Sequence, residues 1–436
     1  MFKCENCGGE LVYSIRDKNL KCSACNSMFE ISDMLDENEE NAETLDMNVF
    51  TCPSCGGEIY STNSTAASFC SFCGSHVTLT QKMVQWRKPE YIIPFKYTSE
   101  QAKELVAERL RQKLFVPSVL KNPANLDICR GIYIPYWVYE TEGHIAFSPY
   151  CEAVSGRKHT VYMITGEADT HYIGINHDAS DSFADDIGDN LNPYNLEEAQ
   201  KFNSAYLCGF FADVADKRAE RYMTDVVRDA TKLMQSDVKE YLNNKYFDLD
   251  VIPVPSGGTS WVKDAKLCLF PIWLVSYKTK DSVAYFAVNG VTAKVVADTP
   301  VEKEKFFIVS SILSVILAFI CYFLCNSTAQ TVLYPLGIFT ILNAIGLHIG
   351  NKRIAKKETD ENKHKTYWLT TVFLVLIALL GFLFSSMNRP TDELYYLYAI
   401  MEIGFNIVGL VGGINHLNLI TARKLPQFSY KGKDIV

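Results

Sequence analysis

Cys4, Cys7, Cys22 and Cys25 recur 48 residues later as Cys52, Cys55, Cys70 and Cys73. Each copy reads C-x2-C-x14-C-x2-C, and nothing else in the chain narrows its fold so far. Two residues between cysteines allow a tight turn that presents both sulfurs to one ion. Two such turns complete a tetrahedron. Thiolate sulfur in a closed four-ligand set suits structural zinc. The surrounding text repeats too: Cys7-Gly8-Gly9-Glu10-Leu11 against Cys55-Gly56-Gly57-Glu58-Ile59. After each knuckle's second cysteine stands Gly8, Asn26, Gly56 or Gly74, types that tolerate a left-handed backbone. Such a turn aims backbone N–H groups at the sulfurs and orients the ligands. The expectation is two β-type zinc ribbons, 1–29 and 48–80, with one structural zinc each. His76 is a bystander to the four thiolates of its unit.

Charge bears on what the ribbons bind. The 436-residue chain has a formal charge of −8. Residues 1–80 hold four Lys/Arg and twelve Asp/Glu, which accounts for all of it. Residues 30–47 read as an acidic, solvated linker without a base. Between Lys21 and Lys82 no base occurs, and a phosphate-binding surface needs bases. Nucleic acid is therefore disfavoured as a partner, and an acidic surface selects a basic or amphipathic protein. No apolar stretch of signal-peptide type opens the chain.

Residues 88–300 have the composition of an α+β domain. Ser99 is the expected N-cap of a helix with Ala102, Val106, Leu110 and Leu114 on one stripe. A second helix is expected over 213–243, with Ala219, Tyr222, Val226, Ala230 and Leu233 inward. Two strand-like runs resemble each other, Ile134-Pro135-Tyr136-Trp137-Val138 and Phe270-Pro271-Ile272-Trp273-Leu274. Asn289-Gly290 signals a hairpin. The acidic run 178–189 lacks the ligand alternation of a calcium loop and reads as solvated. Nucleotide-binding, zinc-protease, nucleophile-elbow and kinase motifs are all missing, so no catalytic residue is named. Cys129, Cys151, Cys208, Cys268, Cys321 and Cys325 are scattered and read as packing residues.

Residues 306–325, 331–350, 366–387 and 394–414 are long apolar stretches, and the reading they give is a four-helix transmembrane domain over 306–420. Bases at Lys303, Lys305, 351–365, Arg423 and Lys424 put both termini in the cytoplasm by the positive-inside rule. Glu402, the ionisable residue within the last stretch, is either a structural partner of Asn406 or a functional group.

The two cysteine units resemble zinc ribbons of the transcription-factor-IIB type. Together with Ile-Ile-Pro-Phe at 92–95, Ile-Tyr-Ile-Pro-Tyr-Trp-Val-Tyr at 132–139, Phe-Pro-Ile-Trp-Leu at 270–274 and Val-Asn-Gly-Val-Thr at 288–292, the whole resembles a bacterial family of double-zinc-ribbon membrane proteins, often labelled replication restart helicase PriA-like. The resemblance implies an association with phage-shock-protein-A-type envelope stress systems. It carries over no catalytic residue, and Ala293 stands where the family pattern leads one to expect Gly. The combined expectation is a non-enzymatic, zinc-binding scaffold or sensor in the plasma membrane, with cytoplasmic ribbons that recruit a protein partner. The alternatives are a membrane-tethered nucleic-acid-binding protein and, resting on Glu402, a transporter.

Overall fold

The computed structural model describes residues 3–34, 42–61, 70, 72–73, 80–126, 129–181, 185–194, 196–246, 249, 253–278, 282–302, 304–305, 308–309, 312, 333–355, 361–386, 392–421 and 423–424. The first cysteine unit folds as β1 (Leu11–Ser14), β2 (Asn19–Cys22) and β3 (Met28–Phe29), a small antiparallel sheet. Leu11 and Tyr13 alternate inward with Leu20 and Cys22, as a strand with one covered face requires. The second unit supplies β4 (Thr44–Thr51), β5 (Glu58–Ser61) and β6 (Thr80–Arg87). Thus β4 starts within the stretch read as a linker.

The middle of the chain runs β7 (Tyr91–Ile92), α1 (Ser99–Arg111), β8 (Cys129–Phe147), β9 (Tyr150–Ser155), β10 (Lys158–Met163) and β11 (Gly166–Asp178). It continues through α2 (Asp185–Leu191), β12 (Gln200–Lys201), β13 (Phe211–Ala212), α3 (Met223–Lys245), β14 (Thr259–Lys278), β15 (Ser282–Asn289) and β16 (Val295–Ala297). Twelve strands join in one mixed sheet with the path β12-β7-β14-β8-β13-β5-β4-β6. The second ribbon is therefore part of this sheet. Its β5 pairs with β13 at Ala212↔Tyr60, and β13 runs parallel to β8 at Phe211↔Ile132.

The two similar runs form the sheet's centre. They lie in β8 and β14, which pair antiparallel with Phe270 opposite Ile134 and Cys268 opposite Tyr136. Each tryptophan donates its indole N–H to a backbone carbonyl at 2.7 Å, Trp137 to Lys217 and Trp273 to Tyr97. Each proline sits where its strand's other neighbour changes. Pro135 lies between the β13 and β11 pairings of β8, and Pro271 between the β7 and β15 pairings of β14. A missing N–H costs nothing at such a gap, so both central strands tolerate proline. The carbonyls still work: Pro135 O accepts from Ala179 N and Pro271 O from Gly290 N, each at 2.9 Å.

Helix α1 starts one residue earlier in function than its pattern suggested. The cap is Thr98, whose hydroxyl accepts from Gln101 N while Gln101 Oε1 accepts from Thr98 N, a capping box. Ala102, Val106 and Leu110 are buried as expected, whereas Leu114 lies past the helix end and is exposed. In α3 the buried line is Val226, Ala230, Met234, Val238 and Leu242. Leu233 is exposed, because the stripe advances by four at that turn. The hairpin at Asn289 closes through a longer loop, with Val288 opposite Val295 and Asn289 Oδ1 accepting from Val291 N and Thr292 N. Gly290 is there for space, since a Cβ would lie 2.6 Å from the Phe95 ring.

The C-terminal part corrects the largest expectation. It forms α4 (Leu333–Ala355), α5 (Glu361–Ser386) and α6 (Asp392–Thr421), packed on one another, with β17 (Arg423–Lys424) pairing to β15. Among the described residues no helix is long and apolar enough to cross a membrane. The stretch 306–325 lies almost wholly outside the described residues. An uncharged run in the sequence gives local apolarity, whereas a span must be a single helix both long and apolar enough throughout. The four-helix transmembrane domain is therefore not found. The membrane scaffold, the bilayer as partner, the plasma-membrane localisation and the cytoplasmic placement of ribbons and termini lose the spans they rested on.

Inside this bundle Glu402 is fully buried. Thr340 Oγ1 lies 2.9 Å from its Oε1, and Asn406 Nδ2 donates to Thr340 Oγ1 at 2.7 Å. Asn343 reaches Asn406 Oδ1 at 3.3 Å, so one polar thread ties α4 to α6.

Candidate metal centres

The knuckles form as their turn residues require. Gly8, Asn26 and Gly56 take φ of +71°, +60° and +75°, and each donates its N–H back to the first cysteine of its knuckle. Gly74 and His76 lie outside the described residues. The turns bring Cys4, Cys7, Cys22 and Cys25 together, and likewise Cys52, Cys55, Cys70 and Cys73. Within each group all four sulfurs lie within 4.8 Å of one another. All eight expected ligands are thus in two sets of four.

The distances test whether a metal fits. Four sulfurs held at about 2.3 Å around a tetrahedral ion stand about 3.8 Å apart. In the second centre Cys52–Cys73 is 3.8 Å and Cys55–Cys70 is 3.7 Å. In the first, Cys4–Cys25 is 3.5 Å and Cys7–Cys22 is 3.4 Å. A disulfide needs about 2.05 Å, so the eight cysteines are thiols in this fold. Backbone donors point at sulfur as well, Gly57 N at Cys55 and Ala24 N at Cys22, both 3.4 Å. Two Cys4 groups able to hold two metal ions are therefore present.

The centres differ in exposure. Cys52, Cys55, Cys70 and Cys73 are all buried, packed with Phe50, Ile59 and Phe72. In the first centre Cys4 and Cys22 are buried but Cys7 and Cys25 are exposed. Ser27 Oγ lies 3.1 Å from Cys25 Sγ and accepts from Asn6 Nδ2 at 3.0 Å.

Both ribbons are bonded to the sheet. Tyr13 N donates to Cys208 O at 2.9 Å, and the Tyr13 ring meets Tyr206 edge-on at 5.2 Å. Burial, with the nearby Tyr206, pushes the Tyr13 hydroxyl up to about 12; burial alone raises Tyr206. In the second ribbon Tyr285 of β15 donates its hydroxyl proton to Phe72 O, two residues from Cys70.

Where the two ribbons meet the sheet, a cleft of about 1220 Å³ opens. Arg87, Lys88, Lys201 and Lys266 line it, against two acids, Glu43 and Glu90. Glu90 is committed to the fold, accepting from Leu267 N at 2.6 Å. Half-buried Tyr91 supplies aromatic surface with Phe202 and Tyr206 buried beside it, and Ile31 and Ser32, just past the first ribbon, complete the lining. Among the described residues Arg87 and Lys201 have no carboxylate within ion-pair distance, while Lys266 has Asp264 at 3.5 Å. A cationic cleft on an acidic chain is invisible to segment-by-segment counting, because its bases come from three distant parts of the sequence.

Sequence reasoning also missed a buried ion pair. Lys217 and Asp178 are both buried, with Nζ 3.7 Å from Oδ2, and Asp181 lies 3.8 Å from the same Nζ. The acidic run thus begins inside the core and not in solvent. Cys129, Cys151, Cys208 and Cys268 are buried and outside both sulfur groups, whereas Cys321 and Cys325 lie outside the described residues.

No protein-family profile matches the chain, and no solved structure matches it. Over 324 residues, 70% of this chain and 91% of the relative, the sequence is 26% identical to the uncharacterized protein YdjG of Bacillus subtilis (strain 168).

Proposed function

We propose that the chain is a zinc-stabilised binding protein without turnover, whose working surface is the cationic cleft and whose ligand is an acidic segment of another protein. The cleft carries this reading. Four cations face two acids there, in a molecule of net charge −8. Like charges gathered around a concave wall raise the local potential and draw in the opposite sign. Aromatic surface beside them suits a peptide with apolar side chains between its carboxylates. The excess of acids over residues 1–80 argues for a basic partner; the cleft gathers four bases against two acids and argues for the reverse.

Zinc is the ion that four thiolates at a tetrahedral spacing select, and each ion would hold its ribbon's knuckles together without taking part in a reaction. Cys4, Cys7, Cys22 and Cys25 hold one ion, and Cys52, Cys55, Cys70 and Cys73 the other. Elemental analysis of the reduced, purified chain should return two zinc per molecule, and a value near zero would sink this part of the reading.

Fluorescence anisotropy tests the cleft. A labelled peptide alternating glutamate with phenylalanine should bind the full chain, more weakly as salt rises. Charge reversal at the exposed Arg87 and Lys201 (Arg87→Glu with Lys201→Glu) should cost at least about tenfold in affinity, or about 1.4 kcal/mol. The zinc content should not change. Equal binding by the double variant, or tighter binding of a single-stranded DNA oligomer than of the peptide, would overturn the proposal.

A further inference from the structure

We infer that the first cysteine centre is an oxidation site, with Cys7 and Cys25 as the sulfurs attacked, and that the second centre is inert on the same timescale. The inference rests on the zinc reading above and on the contrast in burial between two centres of one sequence pattern. All four sulfur-bearing residues of the second centre are at most 5% exposed. Cys7 and Cys25 are open to solvent in the first. Attack on a metal-bound thiolate needs access to the sulfur, so burial sets the order of reaction.

The geometry also supplies the second sulfur. Each exposed cysteine lies close to a buried one of its own centre, Cys7 to Cys22 at 3.4 Å and Cys25 to Cys4 at 3.5 Å. A peroxide is the oxidant. The exposed thiolate attacks one peroxide oxygen, an S–O bond forms, the O–O bond breaks, and hydroxide leaves and takes a proton to become water. The buried thiolate then attacks the sulfenic sulfur. An S–S bond forms, the S–O bond breaks, and the second hydroxide is protonated. Two thiolates give up two electrons, the peroxide is reduced to two waters, and a centre with two of its four ligands gone releases its ion.

Loss of that ion reaches the cleft. Ile31 and Ser32, which follow the first ribbon directly, line the cleft, and Tyr13 of the ribbon packs on Tyr206, which lines it too. Freeing the ribbon removes one wall, so oxidation should weaken a ligand held there. The partner-binding surface would thereby report the redox state of its surroundings.

The test uses the full zinc-loaded chain. Hydrogen peroxide is added stepwise, released zinc is read with a chromogenic chelator, and disulfides are mapped by mass spectrometry. One equivalent of zinc should leave first, together with a disulfide confined to Cys4, Cys7, Cys22 and Cys25, and the acidic peptide should then bind more weakly. Release of both ions together, or a first disulfide among Cys52, Cys55, Cys70 and Cys73, would overturn the inference. Timed alkylation with iodoacetamide of the chain as purified, its ions in place, separates this failure from failure of the zinc reading. Cys7 and Cys25 should be modified first whether or not the native ion is zinc, and early modification of Cys55 or Cys70 would count against the exposure argument itself.

Discussion

Ala293 has φ +61°, a conformation in which its Cβ crowds the following carbonyl. The loop after Asn289 must reverse before β16, and it does so through this one left-handed residue. Ala293→Gly removes a penalty of about 1–2 kcal/mol and returns part of it as unfolded-state entropy, about 0.4–1 kcal/mol. The variant should therefore be more stable by roughly 0.5–1 kcal/mol, read as a raised urea midpoint at unchanged slope. A lowered midpoint would show that the turn prefers the alanine side chain. Glu402 makes a residue-scale case of a different kind. Thr340 has one hydroxyl proton and two acceptors at 2.9 Å, Leu336 O and Glu402 Oε1. Burial raises the Glu402 carboxyl pKa, with the hydrogen bond from Thr340 opposing it. The folded value thus stands above the unfolded one, about 4.3. Its contribution is then fully present below the unfolded value and is lost as pH rises through the folded one. Glu402→Gln should match the native chain in acid and overtake it as pH rises from about 4 towards 8, measured by urea unfolding at each pH. A constant offset between the two proteins would mean that Glu402 is ionised in the fold.

Elements were legible where local chemistry decided them. The cysteine knuckles are the strongest case, since turn residues, spacing and ligand type agree before any tertiary contact is known. The paired runs at 134–138 and 270–274 were legible as strands, but their partnership was not: register between strands more than a hundred residues apart depends on which neighbours occupy the outer edges. The prolines held the clue. Pro135 and Pro271 in apolar runs mark the point where a neighbouring strand ends, and both strands have such a point. Helix boundaries were legible unevenly: the helix expected over 213–243 starts ten residues later, at Met223, whereas at the start of α1 the difference is one residue. Ser99 and Thr98 are adjacent cap-forming residues, and only the geometry assigns the cap to Thr98 through Gln101. Thr98→Ala should cost about 1 kcal/mol, with Ser99→Ala costing clearly less, compared by thermal unfolding. Equal losses would remove the capping box from the account. Least legible were features assembled from several elements. The cationic cleft gathers Arg87 from β6, Lys201 from β12 and Lys266 from β14, and the Lys217–Asp178 pair joins the start of one loop to the end of another. The apolar C-terminal runs misled in the opposite direction: they read as spans, and among the described residues no helix is long and apolar enough to cross a membrane.

At the scale of the whole molecule, the two ribbons are unequal in what depends on them. Cys52→Ser should reach further than the second ribbon. β4, β5 and β6 continue the ladder that runs through β13 to β8, and Tyr285 of β15 is bonded to Phe72 within the second centre. Phe211 of β13 packs against the same cluster as the four buried cysteines. A structural zinc contributes about 10–16 kcal/mol to the folding of its site, as much as the whole stability of a typical domain, about 5–15 kcal/mol. Losing the second ion should therefore loosen the neighbouring sheet as well as the ribbon. Cys25→Ser affects a ribbon that packs on the sheet's core through Leu11, Tyr13 and Leu20 but, among the described residues, shares no strand pairing with it, so its damage should stop near β1 to β3. Hydrogen exchange followed by mass spectrometry separates the two. In Cys52→Ser, protection should fall across β4 to β6, β13 and the 129–133 end of β8. In Cys25→Ser, it should fall in the first ribbon and leave β8 and β14 as slow as in the native chain. If β8 keeps its native protection in Cys52→Ser, the second ribbon is an appendage of the sheet after all, and the continuity of the ladder through β13 has no energetic weight.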